Sequence, residues 1–323
     1  MKSDHAKPHH TARGFRNPYG ETGKSLADFL RWQAARRGLK IPAPTLDLSG
    51  VSPDLDFIHA RHRRLAATWV GHSTVLVQVA GMNFLTDPVF SDRASPVQWS
   101  GPRRWQPPGL ALAELPHIDA VLLSHNHYDH LDAGSVKALA RQPGGSPLFI
   151  VPLGVGEWMA GAGIERVQEL DWWDELVVGE AKVHFVPAQH WSGRTAADRN
   201  RSLWGGFVVE AGERRVYFAG DTGYSSDFRR IGERFESIDL GLIPIGSYLP
   251  RWFMGPQHVD PLEAVRIHQD VRARRSIGIH WGTFLLADEA LDAAPAELAV
   301  ARKAAGIAPR DFLTLRHGET LKL

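Results

Sequence analysis

The sequence predicts an α/β fold in which two mixed β-sheets pack face to face and helices cover their outer surfaces. The first observation is a run of three short strand-like segments at residues 65–70, 74–79 and 82–87. The second is that strands then alternate with helices, and this order occurs twice along the chain.

The first half continues after a long irregular loop at residues 88–117, which contains six prolines. An apolar strand is predicted at 119–124. Two helices, at 134–141 and 154–162, flank a further strand at 148–151.

Three further strands are predicted at 167–170, 175–178 and 182–187. The second half then repeats this style, with four predicted strands at 205–211, 214–219, 240–244 and 276–280 and three predicted helices at 226–235, 261–271 and 295–305. The helix at 261 has the clearest start, because Asp260 suits the N-cap, Pro261 the first helical position and Glu263 the capping box.

The chain is predicted to have two parts, an N-terminal segment at 1–60 and a compact domain at 61–323. Within the first, residues 1–24 read as a mobile arm or a surface strap. A short helix with an apolar side is expected at 25–37, and a proline-containing extended connector at 41–56.

The amino-acid composition excludes several classes of function and of metal site. The 37 basic and 36 acidic residues nearly cancel, so no bulk field favours nucleic acid. The absence of cysteine excludes disulfides and thiolate ligands, so any metal is held by histidine and carboxylate. No stretch approaches the ~20 apolar residues of a membrane span, and no secretory signal is evident. A cytoplasmic protein is expected, with peripheral contact at the inner face of a membrane left open.

The strongest chemical signal follows the strand at 119–124. Four potential metal ligands occur within six residues: His125, His127, Asp129 and His130. In an extended segment His125 and His127 point to the same side, and the other two follow as the chain bends. A polar loop with chance histidines explains such a cluster poorly, so one loop is predicted to serve two metal ions.

Three more potential metal ligands appear at the ends of later strands. His190, Asp221 and His280 each follow an apolar run. Sites gather where strands end and loops begin. Taken singly each has an ordinary explanation, since His280 suits a core position and Asp221 a helix cap. Together with the histidine loop they complete a set for two metals.

This pattern resembles the metallo-β-lactamase superfamily. The resemblance implies a four-layered αβ/βα sandwich with two metal ions at one edge of the sheets. It implies that three residues hold each metal and that Asp221 bridges the two. The first set is His125, His127 and His190, and the second is Asp129, His130 and His280. Superfamily members that hydrolyse lactams carry Cys at the Asp221 position, which argues against that activity.

A narrower resemblance, from about residue 60 to the end, is to the N-acyl-phosphatidylethanolamine-hydrolysing phospholipase D family. The matching segments are TWVGHST (68–74), LTDPVFS (85–91), FAGDTGY (218–224), HVDPLEA (258–264), IHWGTF (279–284) and LRHGE (315–319). The first of these is shared with sugar-phosphate lactonase relatives. The resemblance implies a zinc-dependent phosphodiesterase, with iron or manganese as alternatives, and a possible homodimer. Its substrate would be N-acyl-phosphatidylethanolamine or a related phospholipid.

The expected mechanism is attack on phosphorus by a metal-bridging hydroxide, which releases phosphatidic acid and an N-acylethanolamine. Asp129, Asp221 and His258 are the predicted catalytic residues. His258 precedes a helix and suits a phosphate contact or a proton donor to the leaving group, or else a buried structural histidine.

Further substrate contacts are predicted among residues of two loops and one turn. They are His258, Tyr248, Trp252, His72 and Arg104. The run 248–254 could line an acyl groove, touch a bilayer or close the core. Asp87 and Asp132 are expected to orient ligand histidines, although Asp132 equally suits a helix cap.

Two other functions stay open at this stage. One is a lactonase or phosphodiesterase of a small soluble substrate, which needs the metals but no apolar cleft. The other is a non-catalytic metal- or metabolite-binding protein, against which the complete ligand set argues. An apolar cleft formed by 248–254 and 99–105 beside the metals would favour the lipid substrate.

Overall fold

The computed structural model describes residues 7–20, 24–195 and 197–323. The prediction of an arm or strap at 1–24 falls partly outside these residues. The N-terminal segment contains two short strands and two helices: β1 (His10–Thr11), β2 (Gly14–Phe15), α1 (Leu26–Arg36) and α2 (Leu55–His59). Helix α2 begins inside the segment predicted to be an extended connector. Asp54 caps it by accepting from the Phe57 N–H, a local signal that the proline-rich composition concealed.

The first sheet is built by the first half of the compact region. Its strands are β3 (Ala66–Gly71), β4 (Thr74–Val79), β5 (Met82–Thr86), β6 (Ala120–Leu122), β7 (Leu148–Pro152) and β8 (Val167–Leu170). A 3₁₀ turn at Leu112–Glu114 interrupts the long loop, and α3 (Ala133–Leu139) and α4 (Gly156–Gly161) lie in the crossovers.

The second sheet follows in the same style. Its strands are β9 (Glu175–Val178), β10 (Ala181–Val186), β11 (Gly206–Ala211), β12 (Arg214–Phe218), β13 (Ile238–Pro244), β14 (Ala273–Ile279) and β15 (Phe312–Leu313). Its helices are α5 (Asp227–Phe235), α6 (Arg251–Met254), α7 (Pro261–Asp270) and α8 (Ala293–Ala304). Helix α6 lies within the run 248–254, which had been predicted to be a loop.

Both sheets have seven strands and the same order of pairing. From one edge to the other they run β16-β3-β4-β5-β6-β7-β8 and β9-β10-β11-β12-β13-β14-β15, where β16 is Thr320–Lys322. In each, three antiparallel pairs are followed by three parallel pairs. The α/β prediction of two mixed sheets flanked by helices is confirmed.

The cores follow from strand periodicity. In β4, Val75, Val77 and Val79 join the large cluster between the sheets, whereas Leu76 joins the cluster under α3 and α4. Parallel strands lie together in each sheet, so the loops after their carboxyl ends meet at one edge. That edge carries the candidate site. Among the described residues, no helix is long and apolar enough to cross a membrane.

Candidate metal centre and cavity

The histidine loop, residues 124–132, begins two residues after the end of β6. The backbone N–H of Ser124 donates to Asp87 Oδ1 over 2.7 Å, which fixes the direction in which the chain leaves the sheet. Further on, the His130 N–H donates to the His127 carbonyl over 3.1 Å. The loop thus closes into a tight turn before Asp132 caps α3. This turn presents neighbouring side chains to two separate ligand clusters.

Three histidines form the first cluster. His125 Nε2 lies 2.7 Å from His127 Nδ1, and His190 Nε2 lies 3.3 Å from the same atom. Zinc–nitrogen bonds of about 2.0–2.1 Å place neighbouring donors of a tetrahedral ion roughly 3.3 Å apart. The separation between His127 and His190 matches this spacing and that between His125 and His127 is shorter, and the three side chains converge closely enough to serve one ion.

The second cluster combines histidines with a carboxylate. Asp129 Oδ2 lies 3.4 Å from His130 Nε2 and 3.6 Å from His280 Nε2. His72 also belongs to this cluster, because its Nε2 lies 3.0 Å from the same carboxylate oxygen. The sequence had suggested His72 as a substrate contact, whereas here it holds the side chain of Asp129 in place.

Asp221 lies between the two clusters. Its Oδ2 is 3.2 Å from His130 Nε2 and 3.8 Å from His190 Nε2, while its Oδ1 is 3.2 Å from His280 Nε2. One carboxylate thus reaches a histidine of the first cluster and two of the second. This is the placement that a bridging ligand requires.

The donor chemistry fits divalent metal ions. Within the part of the chain that the structure describes, the buried atoms His130 Nε2, His280 Nε2 and Asp221 Oδ1 have no hydrogen-bond partner. Unsatisfied buried polar atoms are costly, so a native site that contains several of them calls for a ligand. His130 Nδ1 hydrogen-bonds to Asp87 Oδ2 over 2.6 Å. With the proton on Nδ1, the Nε2 lone pair is directed into the cluster.

The pKa values of the ligand residues differ between the two clusters. Burial lowers the pKa of His127 to about 3 and that of His190 to about 4, so these histidines are neutral at pH 7. Burial alone would raise the pKa of Asp221, but the charges of His130 and His280 hold it well below the usual range. The neutral imidazoles of the first cluster are ready to bind a cation. In the second cluster, although burial opposes it, the charge of Asp221 raises the pKa of His130 and His280, so these two release a proton when a metal binds.

Two aspartates near the loop have different jobs. Asp87 accepts from the Ser124 hydroxyl as well as the His130 ring, so it orients a ligand as predicted from its position. Asp132 instead caps α3, where it accepts from the N–H groups of Gly134 and Ser135. Of the two readings that the sequence left open for Asp132, the structure gives the helix cap.

His258 faces the clusters from the far side of Asp221. Its Nδ1 lies 3.7 Å from Asp221 Oδ2, and its ring packs against those of His190 and His280 at 5.2 and 5.7 Å between centroids. The residue lines the cavity described below. It is thus positioned to meet a group that sits on the metal centre.

The backbone around the centre is conformationally strained. His72, Asp87, Ser247 and His280 all have positive φ, at 53°, 29°, 64° and 63°. Non-glycine residues adopt this region at a cost and keep it only where surrounding structure holds them. Here the His280 N–H donates to the His72 carbonyl over 3.0 Å. Strain is concentrated at functional sites in other proteins, and its position here agrees with that tendency.

A cavity of about 400 Å³ opens over the centre. Its floor contains His127, Asp129, Asp221 and His258. Its walls are mainly apolar and come from α1, α6 and a loop after β14. The apolar wall residues are Leu26, Phe29, Trp32, Phe253, Met254 and Leu286. Two cations, Lys24 and Arg199, also line it. The cavity therefore pairs a polar, metal-ligating floor with an apolar wall.

Three predicted substrate contacts lie away from this cavity. Tyr248 is 2% exposed and belongs to the core between the sheets. Arg104 donates to the carbonyls of Val89 and Ser91 and lies over the Phe284 ring, so it braces a loop. Trp252 is exposed on the outer side of α6, beside Arg31.

The predicted cleft is formed only in part. The run 248–254 contributes Phe253 and Met254 to the cavity wall, whereas residues 99–105 contribute nothing to it. The missing wall is supplied by α1 of the N-terminal segment. Trp32 of this helix stacks on Phe253 at 4.7 Å and donates from Nε1 to Asp288 over 2.9 Å.

Several residues of the site had no role in the sequence interpretation. Trp191 lines the cavity, and its ring lies 4.2 Å from that of His127. Arg194 donates to the carbonyls of Asn126 and Leu131 and so clamps the histidine loop. Only for Trp191 did a signal exist, namely its position next to His190.

Comparison with known proteins places this centre in a family. The model of the beta-lactamase superfamily domain matches residues 82–281, which include all seven predicted metal ligands. The chain belongs to this superfamily. The solved structure of a metallo hydrolase from the hyperthermophilic archaeon Ignicoccus hospitalis has the same fold, with a TM-score of 0.62 at 21% identity. The match covers 80% of this chain and 98% of that one.

Some relatives within the superfamily are more similar to this chain in sequence than the archaeal structure is. The chain is 45% identical over 255 residues to N-acyl-phosphatidylethanolamine-hydrolyzing phospholipase D 1 of Caenorhabditis elegans, covering 76% of this chain and 70% of that protein. It is 33% identical over 220 residues to a metal-dependent hydrolase of Methanopyrus kandleri, covering 67% and 84%. This superfamily member is thus a metal-dependent hydrolase in the same family as the nematode protein.

Proposed function

We propose that this metal-dependent hydrolase is a binuclear phosphodiesterase of phospholipase D type. Its substrate would be N-acyl-phosphatidylethanolamine or a related phospholipid, and its products phosphatidic acid and an N-acylethanolamine. The observation that carries the proposal is the cavity, whose ligand floor suits a phosphodiester and whose wall suits acyl chains. The identity with the nematode protein supports the same substrate class.

The residues that would hold the metals are the two clusters and the carboxylate between them. They are His125, His127 and His190, then Asp129, His130 and His280, with Asp221 shared. Nitrogen and carboxylate donors without thiolate suit zinc, and also iron or manganese. Two divalent ions there would lower the pKa of water and offset negative charge that develops on phosphate oxygens.

The chain's own residues then complete the reaction. Water adds its oxygen to phosphorus, the bond from phosphorus to the ethanolamine oxygen breaks, and a proton passes to that oxygen. His258 faces the cavity beside Asp221 and is placed to contact a phosphate oxygen or to carry this proton. His72 keeps Asp129 oriented, and the apolar wall limits water access from one side.

The outer surface near the cavity supports peripheral contact with a phospholipid membrane. Leu26 and Leu30 of α1 are exposed, and so is Trp252 of the adjacent α6. Exposed apolar side chains that lie together commonly mark contact sites. We therefore propose that the substrate enters from the membrane surface, past α1.

The test is release of N-acylethanolamine from vesicles of N-acyl-phosphatidylethanolamine, measured by mass spectrometry. Wild type, Asp221→Asn and Asp56→Asn are each loaded with zinc and assayed in parallel. Asp56 is an exposed residue of α2, away from the cavity, and serves as the control. Because several kcal/mol of charge stabilisation is at stake at a metal centre, we expect Asp221→Asn to lose roughly 10³-fold in rate. Asp56→Asn should match wild type.

A parallel assay with bis-p-nitrophenyl phosphate separates the metal centre from the lipid substrate. Cleavage of this soluble diester by wild type, without release from vesicles, would retain the metal-dependent hydrolase and reject the lipid substrate. Vesicle activity that survives Asp221→Asn would contradict the role given to the clusters.

A further inference from the structure

Two cations line the cavity. Lys24 precedes α1 and Arg199 lies in the loop after β10, and both line the cavity. Neither forms an ion pair with any carboxylate among the described residues. The nearest candidate for Lys24 is Asp28, whose carboxylate is engaged by the N–H and hydroxyl of Ser25 in the cap of α1.

Each cation is instead held over an aromatic ring. Lys24 Nζ lies 3.7 Å from the centroid of Phe253, and the Arg199 guanidinium lies 4.6 Å from that of Trp191. Trp191 in turn packs on His127 of the floor. Rings hold cations by their quadrupole without neutralising them. Two different walls of the cavity thus each carry a positioned positive charge.

The two charges are close enough to affect each other. Burial, and next to it the charge of Arg199, lower the pKa of Lys24 to about 8. The charge of Lys24 also reaches His258 of the floor. Lys24 is partly buried and Arg199 is exposed, and an anion that enters the cavity beside them relieves their mutual repulsion.

The charge of that anion follows from the reaction, and the next step rests on the proposed function. A phosphodiester carries one negative charge. Its hydrolysis yields a monoester, whose second ionisation near pH 6 makes it close to doubly negative at neutral pH. Lysine and arginine are the usual side chains for such a group, and arginine can bind it through two N–H donors.

We propose that Lys24 and Arg199 form a subsite for a phosphate monoester dianion, the charge type of the hydrolysis product. The subsite is separate from the metal ligands and lies in the walls of the same cavity. It would hold the phosphate group after the bond to the alcohol is broken, and so cause product inhibition that the metal centre alone does not explain.

Titration calorimetry on the metal-loaded protein tests this directly. Two ligands are used, inorganic phosphate and dihexanoyl phosphatidic acid, below the concentration at which the lipid aggregates. The variants are Lys24→Gln and Arg199→Gln. Lys24→Arg keeps the charge, and Lys137→Gln removes an exposed lysine of α3 as the control. Thermal unfolding of each variant verifies that it is folded.

We expect each glutamine variant to raise the Kd for both ligands roughly 5- to 20-fold, the loss of one charge-assisted contact. Lys24→Arg should stay within about threefold of wild type, and Lys137→Gln should be unchanged. Weakening of phosphatidate alone would identify the lipid product as the ligand, and weakening of both the phosphate group itself. Affinities unchanged in both glutamine variants would overturn the proposal, since binding would then reside on the metal centre.

The outcome does not depend on the vesicle assay. If wild type fails to hydrolyse the lipid but Lys24→Gln still weakens phosphate binding, the subsite stands and the proposed substrate falls. If the lipid is hydrolysed but the affinities for phosphate and for phosphatidate are both unchanged in the two glutamine variants, the proposed substrate stands and the subsite falls.

Discussion

The floor and the wall of the cavity are built in different ways. Floor residues follow strand ends and are fixed by short hydrogen bonds, such as that from His130 to Asp87 at 2.6 Å. The wall from α1 is attached mainly by two side chains: Trp32 packs on Phe253 and donates to Asp288, and Arg36 pairs with Asp288 and donates to the Ala287 carbonyl. Most other apolar residues of α1 remain exposed.

The difference indicates that the floor and the wall have different roles. A rigid floor keeps metal ligands within the narrow tolerance that coordination chemistry requires. A wall with fewer buried contacts opens more readily, as is usual for segments that admit ligands. Changes in the floor should therefore affect every substrate, and changes in the wall should affect lipid alone.

Among the variants that test this difference between floor and wall, Asp87→Asn is expected to have the largest effect on metal affinity and activity. Asp87→Asn weakens the hold on the His130 ring, and loss of such a partner typically lowers metal affinity 10- to 100-fold. The measurement is zinc affinity by competition with a chelator, together with cleavage of bis-p-nitrophenyl phosphate. Both should fall.

Asp132→Asn is the matched control for Asp87. It changes a buried carboxylate at the end of the histidine loop, which caps α3 and accepts from the Ser91 hydroxyl. Asparagine is a good cap, so it should cost at most about 1 kcal/mol of stability and leave zinc affinity intact. Equal losses of affinity in the two variants would remove the distinction between them.

A middle-sized effect is expected from the wall. Trp32→Ala removes the stacking on Phe253 and the hydrogen bond to Asp288 that hold α1 over the cavity. We expect kcat/KM for vesicle substrate to fall roughly tenfold, about 1.4 kcal/mol. The value for bis-p-nitrophenyl phosphate should change less than about twofold, since this diester needs no acyl wall.

Trp99→Ala provides the comparison for Trp32. Trp99 is 81% exposed in the long loop and lines no part of the cavity. It should leave both substrates unaffected. If Trp32→Ala lowered both activities equally, the separation of wall from floor would be wrong.

The smallest effect concerns the attachment of the N-terminal strap. Asp171 accepts from His9 and His10 at 2.6 and 2.9 Å, and Lys7 lies 2.9 Å from it. Although burial opposes this, His9 and Lys7 hold the pKa of Asp171 below the usual value of 3.8. Its contribution to stability is therefore present above pH 3.8 and is lost as the pH falls below that value.

Asp171→Asn should lower Tm by about 2–4 °C at pH 7, where the carboxylate is ionised. The difference from wild type should shrink on acidification from pH 5 to pH 3. Scanning calorimetry at several pH values measures it. A gap that widens in acid would contradict the assigned ion pairs.

The ligand residues could be found in the sequence because their signal is local. His125 and His127 alternate in an extended segment, and Asp221 and His280 each follow an apolar strand. The strands themselves are recognisable by their apolar periodicity. Parallel strand ends meet at one edge, so the structure gathers residues that lie far apart in the chain.

The wall and its charges could not be found in this way. Lys24 and Trp32 reach the cavity only because α1 folds back onto α6 and onto Asp288, some 256 positions away in the chain. Tyr248 looked suitable for an acyl groove, but it turns into the core. Apolar side chains look alike in sequence whether they fill a core or face a substrate.

The sequence by itself thus determined the α/β class, the positions of most strands along the chain and the chemistry of the ligand loop, since periodicity and donor type are properties of short segments. Only the tertiary structure decided which residues line the cavity. It also decided that Asp87, and not Asp132, orients a ligand, and that β16 completes the first sheet. These outcomes depend on contacts between distant segments, whose energies no local pattern encodes.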